Sequence, residues 1–369
     1  MKADELLTIA PYSLDPQMKD RLLLGAISEE LQFHYESCEP YRKWLDKRGF
    51  HVTQQMNSLS EVPYLPVDIF KSADLTSVSA QDVVRTVRSS ATTSQIPSKI
   101  ALDRVTSNRQ VRALTLILRH VLGDQRLPFL VLDADVARAN SGDGQLTARS
   151  AAIRGFLVAA SEAHHLLQLG SQNELCVDID RVVAETERLV NESKKFVFFG
   201  FTYVIHKAVV SELRKRGIRL AAANAFVLHI GGWKKLQSEA VSKKEFNRSV
   251  SETFGVPEAN VIDIYGFTEQ LGIIYPDHPN GLKMAPVFSD VIVRDPTTLQ
   301  PRPDGEAGLL QFLTPLPHSY PGNSIILDDI GRIVSRAHEG TVFEVLGRAH
   351  ATEMRGCGDI LGLTMTIGQ

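Results

Sequence analysis

Apolar positions in the first sixty residues recur at helical spacing. From Met18 to Phe50 they return every three or four residues, with Arg, Lys and Glu between them, which predicts amphipathic helices over a helical region 1–60. Residues 62–70 (VPYLPVDIF) break that period, and Pro63 and Pro66 predict an extended segment. Further on, short and nearly continuous apolar runs take over. The clearest strand candidates are 128–135 (PFLVLDAD), 195–201 (KFVFFGF), 225–232 (AFVLHIGG), 261–267 (VIDIYGF), 290–295 (DVIVRD), 309–315 (LLQFLTP) and 324–331 (SIILDDIG). Helical patterns lie between several of them, as at 202–217 and 243–255. Strands separated by helices predict parallel pairing and an α/β fold. From about Val287 strands follow one another across short turns such as 294–308, which predicts a smaller antiparallel β subdomain over about 287–340.

Composition narrows the class. The chain has 369 residues, 43% hydrophobic and 22% charged, enough for one large α/β domain or two unequal ones. A net charge of -3 gives no bias toward polyanions, so nucleic acid is not an expected partner. The longest apolar runs, such as Phe196 to Ile205, are too short for a bilayer span, so no stable membrane insertion is expected. The opening MKADELLTIAPYSLD lacks the basic-then-apolar pattern of a leader, and a cytoplasmic protein is expected. Cys38, Cys176 and Cys357 are odd in number and far apart, which argues for free thiols rather than disulfides or a zinc cluster.

Four segments carry candidate chemistry. Ser89-Ser90-Ala91-Thr92-Thr93-Ser94-Gln95-Ile96-Pro97-Ser98-Lys99 is a run of small hydroxyl residues ending in a lysine. Such a loop can wrap phosphate oxygens with N–H and O–H donors, although a plain surface loop has the same composition and the Walker A spacing is absent. Gly231-Gly232-Trp233 follows an apolar strand, where glycines let a ligand approach the backbone or simply make a tight turn. Tyr265-Gly266-Phe267-Thr268-Glu269 also ends a strand. Its Thr and Glu together suit a phosphate oxygen and Mg²⁺, and equally suit a helix cap. Asp328-Asp329-Ile330-Gly331-Arg332 offers a carboxylate for ribose hydroxyls, in a sequence that also makes common β-turns. His164-His165 lies on a helix-like stretch and reads as a packing or solvated pair. His229, just before Gly231, could face a substrate pocket.

The order of these segments resembles the adenylate-forming superfamily of acyl-CoA synthetases, firefly luciferase and nonribosomal adenylation domains, with Y-G-x-T-E as the most specific match. Within it the chain is most similar to the acyl-protein synthetases of bacterial bioluminescence operons. That likeness runs over nearly the whole chain, through 34–46 (HYESCEPYRKWLD), 62–71 (VPYLPVDIFK), 89–99, 231–234 (GGWK), 295–309 (DPTTLQPRPDGEAGL), 319–321 (SYP), 327–331 (LDDIG) and 355–357 (RGC).

The resemblance implies an α/β large domain of adenylate-forming type over 1–340 and a short hinge or tail over 341–369. About 20 residues follow Arg348, so the usual C-terminal domain is expected to be nearly absent. It also implies ATP and Mg²⁺ as cofactors. Ser89, Ser90, Thr92, Thr93 and Lys99 then belong to the phosphate loop, and Gly231, Gly232 and Trp233 to the wall of the adenine and acyl pocket. Tyr265 and Gly266 lie near adenine, Thr268 meets the α-phosphate, and Glu269 ligates the metal. Asp329 binds ribose, Arg348 is the hinge arginine, and Cys357 is the acylated cysteine. The adenylation lysine has no clear match; Lys99, Lys234 and Lys235 are candidates. The expected reaction activates a fatty acid to acyl-AMP and hands the acyl group to a thiol, for delivery to a fatty acyl reductase or another acceptor protein. Two alternatives stay open: a ligase that serves CoA or a carrier protein without Cys357, and a non-catalytic binder. The second is suggested by Ala91 and Ser94, which stand where the family loop has glycines.

Overall fold

The protein is described by a computed structural model over residues 1–89, 97–135, 145–170, 175–232, 240–278, 281–337 and 340–349. Its centre is a sheet of seven strands. Five run parallel: β4 (Leu127–Ala134), β6 (Ala160–Leu169), β8 (Phe196–Phe201), β9 (Ala225–Ile230) and β10 (Val261–Tyr265). Antiparallel edge strands β7 (Leu175–Val177) and β11 (Tyr275–Pro276) complete the order β11-β10-β9-β8-β4-β6-β7. Every residue of β4 and of β8 is buried, because helices cover both faces, and this explains their unbroken apolar runs. Each fully buried Phe of β8 contributes about 1.5–3 kcal/mol of apolar burial.

The second sheet is antiparallel, in the order β12 (Lys283–Ala285), β16 (Gly340–Arg348), β15 (Ser324–Ala337), β14 (Gly308–Leu313), β13 (Asp290–Arg294). The two-residue strand β1 (Leu65–Pro66) lies parallel to β15. A third sheet joins β2 (Arg85–Arg88) to β3 (Lys99–Leu102) and β5 (Gln145–Thr147).

Local signals place the helices. After α1 (Lys2–Leu6), α2 (Pro16–Ser37) starts with Asp15 accepting from the Met18 N–H at 3.0 Å and Pro16 in the first turn; α3 (Glu39–Lys47) follows it. α4 (Ile69–Ser72) is one turn, and α5 (Arg104–Leu122) is capped by Asp103, which accepts from Thr106 N–H at 2.7 Å. α6 (Ala148–Phe156), α7 (Ile179–Asn191) and α8 (202–215, with a π-helical stretch at Ile205–Val210) lead to α9 (Lys243–Phe254). Gly255 ends α9 at φ +70°, with a Cβ there only 2.3 Å from the Leu220 carbonyl oxygen.

The α/β class, the parallel strands and the terminal antiparallel sheet match the sequence expectation. Two local readings change. His164 and His165 lie in strand β6, not on a helix; over so few residues apolar spacing fits either period, and pairing with β4 decides it. The 62–70 segment is extended only in part, since Ile69 opens α4. Among the described residues no helix is long and apolar enough to cross a membrane.

Candidate active site

Strand β10 delivers Tyr265 to the junction of the two large sheets. Its ring stacks on Phe312 of β14, with centroids 5.6 Å apart and planes at 27°. Its hydroxyl donates to Asp329 Oδ2 on β15 at 2.6 Å. Arg348 is the cross-strand partner of Asp329 and donates Nε to Oδ1 at 3.3 Å. One carboxylate is thus held from both sheets. Burial, with the neighbouring Asp329 charge, pushes the Tyr265 phenol well above its ordinary value and keeps it a neutral donor.

Glu269 sits four residues on, in a single 3-10 turn, Thr268–Gln270. It is 5% exposed. Burial pushes its carboxyl upward, opposed by the Ser98 hydroxyl and the Lys71 charge. The turn itself is clamped. Gln270 Nε2 donates to the Phe312 and Gly322 carbonyls at 3.2 and 2.9 Å, and the Tyr320 hydroxyl donates to the Glu269 carbonyl at 2.9 Å. Gly272, at φ +88°, lets the chain pass Gln110, where a Cβ would come within 2.5 Å of the Gln110 Cα. Thr268 is half-buried. Among the described residues no group of three or more His, Cys, Asp or Glu side chains could hold a metal. A magnesium ion on Glu269 would therefore complete its shell with phosphate oxygens and water, as Mg²⁺ commonly does.

The hydroxyl-rich loop starts and ends beside this turn. Ser89 N–H donates to the Ser98 carbonyl at 3.1 Å, and Ser98 N–H donates to Ser89 Oγ at 2.8 Å. Ser90, Thr92 and Thr93 lie outside the described residues. Lys99 is exposed and its ammonium is 3.8 Å from Asp74, with no contact to the Tyr265–Asp329–Arg348 group among the described residues. Gly231 has φ +82° and a Cβ there would touch the Phe201 ring at 3.4 Å; at Gly232 it would meet nothing within 4 Å. Gly266 passes the Ile273 carbonyl, 3.4 Å from where its Cβ would be. Trp233, Lys234, Lys235 and Cys357 lie outside the described residues. The segments carrying Tyr265, Glu269, Asp329 and Arg348 therefore meet at one sheet junction, and the base of the Ser89 loop adjoins it.

The sequence model of the LuxE acyl-protein synthetase family matches residues 2–366. The chain belongs to the LuxE family. Two relatives carry the name long-chain-fatty-acid–luciferin-component ligase. The Vibrio harveyi protein is 26% identical over 347 residues, covering 92% of this chain and 86% of its own. The Aliivibrio fischeri protein is 24% identical over 349 residues, covering 92% and 87%. LuxE membership makes the chain a ligase. Its fold is that of the adenylate-forming ligases: 2-hydroxyisobutyryl-CoA ligase, solved in the postadenylation state with 2-HIB-AMP, superposes with a TM-score of 0.68 at 16% identity, covering 91% of this chain and 69% of that one.

Several further side chains are fixed by long-range contacts, and apart from His229, named above as a residue that could face a pocket, they gave no sequence signal. His34, in the 34–46 segment, bonds Ser77 Oγ at 2.7 Å and the Pro317 carbonyl at 3.2 Å, and burial pushes it down to about 3. Arg109 and Glu30 pair at 2.7 Å, and Glu30 also reaches His318 at 2.8 Å. These contacts fix the 315–323 loop that carries Tyr320. His229 lies against Phe246 of α9, with ring centroids 4.5 Å apart, and its Nδ1 is 2.9 Å from Thr202 Oγ1. Burial pushes His229 down to about 4. At the end of β4, the fully buried Asp133 holds Arg149 through two bonds of 2.8 and 2.7 Å, and Arg149 reaches the Tyr203 hydroxyl at 2.9 Å. These are long-range pairings between ordinary residue types, which no local spacing announces.

Proposed function

We propose that this chain activates a long-chain fatty acid with ATP and Mg²⁺, forms acyl-AMP, and transfers the acyl group to a thiol, Cys357, for delivery to an acyl reductase or similar acceptor. The observation that carries the reading is the Asp329 carboxylate, shared by Tyr265 and Arg348 at a sheet junction beside the buried Glu269. LuxE membership and the names of the two relatives supply the substrate class and the protein acceptor.

In the first step a carboxylate oxygen attacks the α-phosphorus, and pyrophosphate leaves with the bonding electrons of the broken P–O bond. Acid and triphosphate repel each other, so the protein's work is to position them and offset charge. Asp329 would hold the ribose hydroxyls, with Tyr265 beside the adenine and Gly231, Gly232 and Trp233 along the pocket wall. Thr268 and the loop hydroxyls of Ser89, Ser90, Thr92 and Thr93 would donate to phosphate oxygens. Glu269 would hold magnesium, whose charge neutralises the phosphates. In the second step a thiolate attacks the acyl carbon and AMP leaves; Arg355 beside Cys357 favours the thiolate.

Exchange of labelled pyrophosphate into ATP, across acids of increasing chain length, tests the first step; silence with every acid refutes it. Labelled fatty acid with ATP should leave a hydroxylamine-sensitive label on the wild-type protein and none on Cys357→Ser. A retained thioester label would assign the thiol elsewhere, and exchange without any protein label would favour delivery to CoA or a carrier.

A further inference from the structure

The adenylation step brings two anions together, and the structure assigns the cation that meets them to Lys71, on α4. Two anchors carry that helix to the site. The first is backbone pairing: β1 lies parallel to β15 with Leu65 opposite Ile325 and Pro66 opposite Ile326, and Val67 N–H donates to the Ile326 carbonyl at 3.0 Å. The chain therefore leaves this pairing at Asp68 alongside the Leu327-Asp328-Asp329 stretch. The second is packing: Phe70 meets the Tyr320 ring edge-on, with centroids 6.1 Å apart, and the Tyr320 hydroxyl holds the Glu269 carbonyl. Between these anchors Lys71 stands 2.5 Å from Asp68 Oδ1, with 31% of its side chain exposed. Its charge is felt on both sides: it opposes the upward push of burial on Glu269 and on Asp328.

Other lysines of this region are engaged elsewhere. Lys99 faces Asp74 at 3.8 Å, while Lys243 and Lys283 are fixed on Asp277 at 2.6 and 2.9 Å. Among the described residues Lys71 has one ion-pair partner, Asp68, which is itself 35% exposed, so its ammonium can turn from that carboxylate to an arriving one. In the reaction the ammonium contacts the acid's carboxylate and an α-phosphate oxygen. No proton moves in this step. The new O–P bond forms as pyrophosphate leaves.

This assignment rests on the adenylation reading, and one experiment separates them. Pyrophosphate exchange is measured for wild type, Lys71→Met and Lys71→Arg, with thermal unfolding alongside. Met keeps the apolar stem and removes the charge; Arg keeps the charge. Lys71→Met should lose about 100-fold or more in exchange rate, the usual size for one lost transition-state contact. Lys71→Arg should stay at least about tenfold above Lys71→Met. The unfolding midpoint of both should stay within about 2 °C of wild type. An active wild type with Lys71→Met within about threefold of it overturns Lys71 and leaves adenylation standing. Arg no better than Met, or a midpoint lowered by more than about 5 °C in Lys71→Met, assigns the residue to packing and also overturns it. A wild type silent with every acid removes both readings together.

Discussion

Asp263 lies within β10 and Glu269 in the turn that follows it, and their surroundings are opposite. Asp263 has Lys283 at 2.8 Å, Lys243 at 3.9 Å and His229 at 3.6 Å. Although burial works against it, the two lysines, Lys283 foremost, hold its carboxyl down at about 2. Glu269 is more deeply buried, and burial pushes its carboxyl up. Its turn is nevertheless clamped by Gln270 and Tyr320. A folded chain gains nothing by fixing a buried acid with so little counter-charge unless a ligand supplies it. Asp263 is complete within the fold; in the proposed reaction Glu269 would be completed by magnesium.

The sharpest break of this contrast is Glu269→Gln. The amide keeps the shape and removes the charge that would hold magnesium. Exchange should fall about 100- to 1,000-fold, as when one electrostatic contact to a transition state is removed. Thermal stability should stay level or rise slightly, because burying the charge was unfavourable in the first place. A variant that unfolds early while its residual folded fraction exchanges normally would place Glu269 with Asp263 as a structural acid.

Asp263→Asn should show the reverse pattern. Its carboxyl is held below the unfolded-chain value of about 3.9, so it contributes stability above that pH. That contribution is lost as pH falls through the folded value of about 2. A shift of that size corresponds to about 2.5 kcal/mol near neutral pH. Chemical denaturation at pH 7 should show that loss in Asp263→Asn, and the gap between variant and wild type should close below about pH 3. Exchange activity of the folded variant should change less than about threefold. A pH-independent gap would mean that the lysine contacts are not the source of the effect.

The two acids also show what a sequence discloses. Tyr265, Glu269, Asp329 and Arg348 stand out because each sits at the end of an apolar run or in a recognisable string; parallel topology brings the end of β10 to one sheet edge, and antiparallel pairing sets Asp329 opposite Arg348. The strands β4 and β8 were legible because both their faces are covered, so nearly every position along them is apolar. Lys283, Lys243, Tyr320 and Gln270 were not, since each meets its partner across a long stretch of chain and no local pattern encodes that pairing. Strand β6 was hidden for a different reason. Its alternation is irregular and only Leu166 and Leu167 are buried, so pairing with β4, not periodicity, makes it a strand.

The smallest expected effect tests whether Asp329 stands with the completed acid or with the waiting one. Among the described residues it has two partners where Asp263 has three, but it is only 17% exposed and faces the junction where a ribose would lie. Tyr265→Phe removes the 2.6 Å bond and leaves the ring on Phe312. If the bond serves the fold alone, the loss is a single hydrogen bond to a charged group, about 1–2 kcal/mol of stability with ATP binding unchanged. If it aims Asp329 at the nucleotide, KM for ATP in the exchange assay should rise about three- to tenfold at unchanged kcat, since binding is weakened equally in ground and transition states. The second outcome is expected, because Arg348 still holds the other carboxylate oxygen and keeps the strand pair closed. An unaltered KM with a lowered unfolding midpoint would move Asp329 into the company of Asp263.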